Sequence, residues 1–245
     1  MALSLILALI WLCGGFVNGL TSFGANLLAI PAMSLIMSPK EAVITACFGG
    51  LAVTVAIVFL YRRNLDYREL LMFVLPCLAT VPLGTAVLRS LSPAALLLFA
   101  GGVMLLFLLW QGIAARMTRV GVCPAWSIFV VGGAAGLLVA ATGMGGPPFA
   151  VYAVVRRWDK ETSLAMINMS GVLSLLIAIG VQWRQGLLTP EILHAASIAV
   201  PASIIGVLCS LPLLRRINVV LFRRLVLIMV ALAAATMFVR GITLL

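Results

Sequence analysis

Charge is what this sequence has least of. Only 9% of its 245 residues are charged, six of them acidic, and there is a single histidine. A water-soluble domain carries about 25% charged residues and roughly 45–50% apolar ones. Here 64% are hydrophobic and the mean hydropathy is +1.26. That composition excludes a fold with a water-facing surface, and it excludes disorder, which needs few apolar residues and many charges. No ten-residue alternation of apolar and polar residues is present, which excludes a transmembrane barrel. Metal and redox chemistry lack their residues too. Cys13, Cys47, Cys77, Cys123 and Cys209 show no CxxC or other ligand spacing and read as small apolar residues, so neither a metal nor a cofactor is expected. No GxSxG elbow exists and nothing pairs a serine with His194, so no catalytic residue is assigned. The first segment, Leu3 to Cys13, lacks the basic region of a secretory leader, and Trp11-Leu12 suits a cleavage site poorly; it reads as part of the mature fold.

What remains is long apolar runs separated by basic residues. Sixteen Lys and Arg give a net charge of +10, which in a soluble chain would suggest nucleic acid. These residues stand between apolar runs, where cytoplasmic loops concentrate them, so the expected partner is the lipid bilayer and no nucleic acid. Glycine, proline and charge divide the chain into eight segments near 4–37, 41–61, 67–88, 93–113, 125–155, 162–182, 190–213 and 218–241. Ser38-Pro39-Lys40-Glu41 and Asp66-Tyr67-Arg68-Glu69 resemble capping boxes, and Ser92-Pro93 and Thr189-Pro190 place proline just inside a helix. The tryptophans fall mostly near span ends, as an aromatic belt would place them.

Segments 4–37 and 125–155 are apolar for 34 and 31 residues and glycine-rich near their middles. As one straight helix the first would be about 51 Å long, against a hydrocarbon core of about 30 Å. A broken element fits better, either two kinked half-helices or a re-entrant hairpin. The two segments also anchor an internal repeat at an offset of 121. Gly15, Thr21, Gly24, Ser38 and Gly50 fall on Gly136, Thr142, Gly145, Asp159 and Gly171, and at an offset of 122 Glu69 and Gly84 fall on Glu191 and Gly206. Paired halves with interrupted helices at matching positions point to a secondary transporter and its binding site. The halves are 1–122 and 123–245. If each long segment enters and leaves on one side, the basic residues split 12 to 4 between the two sides; if each crosses once, they split 7 to 9. The positive-inside rule favours the first arrangement. The expected fold is therefore an all-α polytopic membrane protein of two inverted repeats, each a re-entrant glycine-rich segment plus three transmembrane helices, with both termini outside.

The breaks read Gly19-Leu20-Thr21-Ser22-Phe23-Gly24-Ala25-Asn26 and Thr142-Gly143-Met144-Gly145-Gly146-Pro147-Pro148. A half-helix that starts at membrane depth points free N–H groups and its positive dipole end into a cavity, which suits an anion. Asn26 leads the side-chain candidates, because its amide can donate to an oxyanion; its bland role is helix capping. Thr21, Ser22 and Thr142 stand beside the breaks, although hydroxyls in membrane helices often bond their own backbone. Gly24, Ala25, Gly143, Met144, Gly145 and Gly146 would contribute backbone groups, and Asn168 and Ser170 could line the same cavity. Glu191 and His194 share a helix face and fit an outer interface better than a proton relay.

These elements resemble the TauE/SafE family of sulfite exporters, whose halves each carry a G-x-G-G-like element. Gly143-Met144-Gly145-Gly146-Pro147-Pro148 is similar to the second element, and Gly24-Ala25-Asn26 with Pro31 is a looser match to the first. The resemblance spans nearly the whole chain and implies a plasma (inner) membrane permease that exports sulfite or a small organosulfonate. Only Glu191 among the six acidic residues could lie within a span, so outward, potential-driven movement is expected without a coupled cation. A passive anion channel and an intramembrane hydrolase using Ser22 or Ser170 stand as the other classes.

Overall fold

Glycine-rich stretches stand where the computed structural model breaks the two longest apolar runs, while Pro31, Pro76, Pro82 and Pro201 lie inside helices. The structure describes residues 2–21, 24–114, 126–156, 158–212 and 219–245. Among these residues there are ten α-helices and no strand: α1 (Ala2–Thr21), α2 (Ala25–Ser34), α3 (Pro39–Tyr61), α4 (Tyr67–Ser90), α5 (Pro93–Ala114), α6 (Ser127–Thr142), α7 (Gly146–Val155), α8 (Lys160–Arg184), α9 (Pro190–Ser210) and α10 (Val219–Thr243). Six of them, α1, α3, α4, α5, α8 and α9, are long and apolar enough to cross a membrane. Large side chains such as Leu71, Leu83, Leu106 and Leu232 lie exposed on the outer faces.

Side-chain caps set the starts that the sequence marks. Ser38 Oγ accepts the Glu41 N–H at 3.3 Å while the Glu41 carboxylate accepts the Ser38 N–H at 3.0 Å, closing a capping box at α3. Asp66 accepts the N–H groups of Arg68 and Glu69 at α4, Asp159 that of Thr162 at α8, and Thr189 that of Ile192 at α9. Each satisfies an amide that the first helical turn leaves without an intrahelical partner.

The two long segments are each a hairpin of helices, which resolves their awkward length. The Trp11 indole N–H donates to Met33 Sδ at 3.3 Å, and a Cβ on Gly14 would stand 3.2 Å from the Ala25 carbonyl oxygen. Early α1 therefore meets late α2, and α2 runs back along α1. In the other half Ile128 and Ala135 of α6 share a core with Phe149, Tyr152 and Ala153 of α7, built around Phe73 of α4. There α7 runs back along α6. Trp11 consequently lies fully buried inside the first hairpin and not in an aromatic belt, whereas Trp126 and Trp183 are exposed near helix ends.

Small residues let backbones touch where helices of the two halves meet. On α1 and α9, Gly15 abuts the Ser203 carbonyl, Gly19 abuts Ser210 and Gly206 abuts the Leu12 carbonyl, so the two helices run parallel. On α4 and α6, Gly84 abuts the Leu137 carbonyl, Gly132 the Phe73 carbonyl and Gly136 the Cys77 carbonyl, again a parallel pair. The long third helix meets its counterpart head to tail: Thr54 of α3 lies against Gly171 of α8, and Gln182 Nε2 donates to Cys47 Sγ at 3.6 Å. Helices α5 and α10 are likewise antiparallel, with Gly101 against Phe238 and Gly241 against Leu98.

Candidate functional site

Two glycines make the breaks possible. Gly143 has φ +71° and Gly24 has φ +131°, conformations in which a side chain is strained. Gly143 ends α6 by donating its N–H to the Val139 carbonyl at 2.9 Å, and after Met144 and Gly145 the chain starts α7 at Gly146. At the other break α2 begins at Ala25, whose N–H donates to Asn18 Oδ1 on α1 at 3.2 Å.

The two hairpin tips meet each other. Asn26 Nδ2 donates to the Gly143 carbonyl at 2.6 Å, joining the first turn of α2 to the end of α6. Asn18 Nδ2 donates to Asn168 Oδ1 at 3.3 Å, and Asn168 Nδ2 donates to the Leu164 carbonyl of α8 at 2.8 Å. Asn18 and Asn168 are 5% and 1% exposed, so this relay sits where water competes little and each bond fixes the orientation of the next amide.

Between the tips lies a cavity of about 70 Å³. A buried water needs about 10–15 Å³ on this scale, so the space suits a few waters or one small oxyanion. Gly24, Ala25, Asn26, Gly143, Met144, Gly145, Gly146 and Asn168 all line it. Thr21 and Thr142 do not: their hydroxyls donate to the carbonyls of Val17 and Leu138, each at 2.8 Å, four residues back in their own helices. Ser170 behaves likewise toward the Met166 carbonyl and stands outside the lining. Ser22 lies outside the described residues.

The lining also holds Asn18, Gly50, Thr54, Gly171 and Ser174, which the sequence reading missed. Gly50 and Gly171 were visible as repeat partners. Their use was not: a Cβ on Gly50 would stand 3.0 Å from the Asn26 amide, and one on Gly171 would stand 3.0 Å from Thr54 Cγ2. Asn18 had a weaker signal, as a lone amide in an apolar run seven residues before Ala25.

Among the described residues no charged side chain lines the cavity. Its polarity is carried by amides, hydroxyls and helix ends. The first turn of α2 has backbone N–H groups at Ala25, Asn26 and Leu27, whereas that of α7 has one at Gly146, because Pro147 and Pro148 carry none. Asn26 Oδ1 is buried and has no hydrogen-bond partner. His194 is exposed on α9 and does not line the cavity, and among the described residues the lining has no His, Lys, Asp or Glu beside Ser174. No group of three His, Cys, Asp or Glu side chains among the described residues could hold a metal.

At its far end α7 is fastened to α4. Glu69 Oε1 accepts the Tyr152 hydroxyl and the Arg156 Nε–H, each at 2.8 Å. That hydrogen bond, reinforced by the carboxylate charge, raises the Arg156 pKa above the ordinary guanidinium value.

No curated protein and no solved structure matches the chain. Residues 7–237 match the family model described as Sulfite exporter TauE/SafE, with both hairpins and the cavity inside the matched range. With six helices able to span a bilayer and a match over nearly its whole length, this multi-pass membrane protein belongs to the TauE/SafE sulfite exporter family, a family of transporters.

Proposed function

We propose that the protein exports a small sulfur oxyanion, sulfite or an organosulfonate, across the plasma membrane by alternating access, holding it between the two helix breaks. The observation that carries this reading is the Asn26–Gly143 bond at 2.6 Å, which brings the tips of both hairpins to one cavity. Helices α2 and α7 have 10 residues each, so each half-helix is about 15 Å long, half of a hydrocarbon core of about 30 Å. The cavity also takes in Gly50 and Gly171, each near the middle of a helix long enough to span, which supports a site near the midplane.

Residues 1–122 and 123–245 are read as inverted repeats. Repeats related by an axis along the membrane normal would set corresponding helices parallel; the head-to-tail contacts of α3 with α8 and α5 with α10 support the inverted relation. Re-entrant hairpins then put Arg62, Arg63, Arg68, Arg156 and Lys160 on one side, the cytoplasmic one by the positive-inside rule, and both termini outside. The substrate contacts are assigned to Asn26, Asn168 and the backbone at Gly24, Ala25 and Gly143 to Gly146, with Thr21, Thr142 and Ser170 as shaping residues behind them. Ser22 keeps its place as a candidate from sequence.

An anion leaving a negative interior gains about 2.3 kcal/mol per charge per 100 mV, which drives export without a coupled cation. Proteoliposomes with imposed potassium-diffusion potentials and no proton or sodium gradient test this. Labelled sulfite should leave faster as the interior becomes more negative, and unlabelled sulfite on the far side should speed exchange. Voltage-independent flux that requires a proton or sodium gradient sinks the uncoupled mechanism, and absence of counter-exchange leaves a channel.

A further inference from the structure

Among the described residues the cavity offers an anion no counter-charge, and Asn26 brings to it one buried oxygen that lacks a hydrogen-bond donor. Asn26 donates through Nδ2 to the Gly143 carbonyl, and that bond fixes the amide orientation, because the reverse rotamer would set two acceptor oxygens 2.6 Å apart. Its Oδ1 is left buried without a partner in a residue that lines the cavity. A buried acceptor of this kind calls for a donor. A fully deprotonated oxyanion has only acceptors to present, and its second negative charge would sit in a lining without any cationic side chain among the described residues. Desolvation cost grows as the square of charge, so a dianion is penalised far more than a monoanion in such a place.

Building on the exporter reading, we propose that the site selects the singly charged, proton-bearing form of its oxyanion, so that for sulfite the bound species is hydrogen sulfite, its proton directed to Asn26 Oδ1. The Asn26 and Leu27 N–H groups in the first turn of α2 are left for its oxygens, the Ala25 N–H being held by Asn18 Oδ1. One proton then leaves with each exported anion and is released where the anion dissociates. Among the described residues no titratable side chain competes for this role within the lining. On the helices around it the candidates are Cys13 on α1, Lys40, Glu41, Cys47 and Tyr61 on α3, Tyr152 on α7, and Lys160, Glu161 and Arg184 on α8; α2 and α6 have none, and none of these lines the cavity.

The test compares two probes on the intact wild-type protein in detergent. Sulfite loses its last proton near neutrality, whereas methanesulfonate stays a monoanion without a donor at every working pH. Above neutrality the apparent sulfite Kd should rise about tenfold per pH unit, tracking the depletion of hydrogen sulfite. The methanesulfonate Kd should stay flat, which shows that the protein itself has not changed. A sulfite Kd that is flat or improves with rising pH, while both probes bind, overturns the protonation proposal and leaves the exporter reading standing. Binding of neither probe at any pH overturns both. Asn26→Ala supplies an independent readout, since it should narrow the preference for hydrogen sulfite over methanesulfonate below neutrality; an unchanged preference also overturns the proposal.

Discussion

The two hairpin tips share a backbone plan and divide the chemistry between them. At an offset of 121, Asn26 of the first tip falls on Pro147 of the second, Leu27 on Pro148, and Asn18 on Val139. The first tip therefore donates: it has side-chain amides and first-turn N–H groups at Ala25, Asn26 and Leu27, that of Ala25 being held by Asn18 Oδ1. The second accepts and shapes, with the Gly143 carbonyl, a left-handed glycine and two prolines that remove donors. Their outer ends differ as well. The α7 arm is held by Glu69 through Tyr152 and Arg156, whereas the matching positions at the first arm are Pro31 on α2 and Leu35 just after it, and that arm is held by Trp11 against Met33. Two hairpins of similar plan thus present different groups to one cavity. If export needs one half to hold the anion and the other to close over it, this inequality is what the mechanism requires.

The largest effect should come from the shaping tip. Gly143→Val places a β-branched residue at φ +71° and a Cβ 2.6 Å from Ile30 Cδ1 on α2. Left-handed backbone costs a side-chain-bearing residue about 1–2 kcal/mol, and Ile30 Cδ1 must turn away to admit the Cβ, so the tip that holds the Gly143 carbonyl toward Asn26 is disturbed. Anion binding should be lost while the protein stays inserted and monodisperse. Gly133→Ala, whose added Cβ meets only Thr80 Cγ2 at an ordinary 3.6 Å, should bind normally and serves as the control. Normal binding by the Gly143 variant means that the second tip has no part in the site.

A smaller effect separates donor from shape. Asn26→Ala removes the bond between the tips, and a lost hydrogen bond of about 0.5–1.5 kcal/mol corresponds to a two- to twelvefold loss of affinity. Pro147→Ala, at the matching position, removes no donor and adds an N–H to the first turn of α7, so affinity should hold or rise. Isothermal titration with sulfite below neutrality measures both. Equal losses would show that the tips contribute alike and that the division drawn between them is wrong.

Much of the scaffold was readable because it follows from one-dimensional physics. Apolar runs against a bilayer thickness gave the spans, and Ser38, Asp66 and Thr189 announced helix starts that the structure has at Pro39, Tyr67 and Pro190. Glycine clusters gave the positions of the breaks. What stayed hidden depends on which segment folds back on which. Trp11 reads as an interfacial residue until α2 lies beside it and offers Met33 Sδ. Asn18 reads as an isolated amide until the same reversal brings Ala25 to its oxygen and α8 brings Asn168. Thr21 and Thr142 looked like ligands by proximity to the breaks, but the rotamer that points them down their own helices satisfies each hydroxyl locally.

The smallest expected effect lies at the caps that open α3 and α8, where the chemistry again differs. Ser38 caps α3 with a neutral hydroxyl; Asp159, 121 residues on, caps α8 with a carboxylate that accepts the Thr162 N–H at 2.8 Å and the Thr162 hydroxyl at 3.0 Å. The backbone hydrogen bond from Thr162, followed by that of its hydroxyl, holds the Asp159 pKa below its ordinary value of 3.8. A carboxylate whose pKa is lower folded than unfolded stabilises the fold above the unfolded value, and that contribution fades as pH falls through the folded one. Asparagine caps about as well as aspartate and does not titrate in this range. The thermal midpoint of wild type relative to Asp159→Asn should therefore decline as pH falls from neutrality through the ordinary carboxylate value of 3.8 and below it, where protonation removes the charged cap. Ser38→Asp should import the same acid sensitivity into α3. Because Asp159 is exposed the shift will be small, and differential scanning of the paired variants in one detergent is needed to resolve it. Parallel acid curves for wild type and Asp159→Asn would mean that the cap contributes through geometry alone, and that in this respect the two halves do not differ.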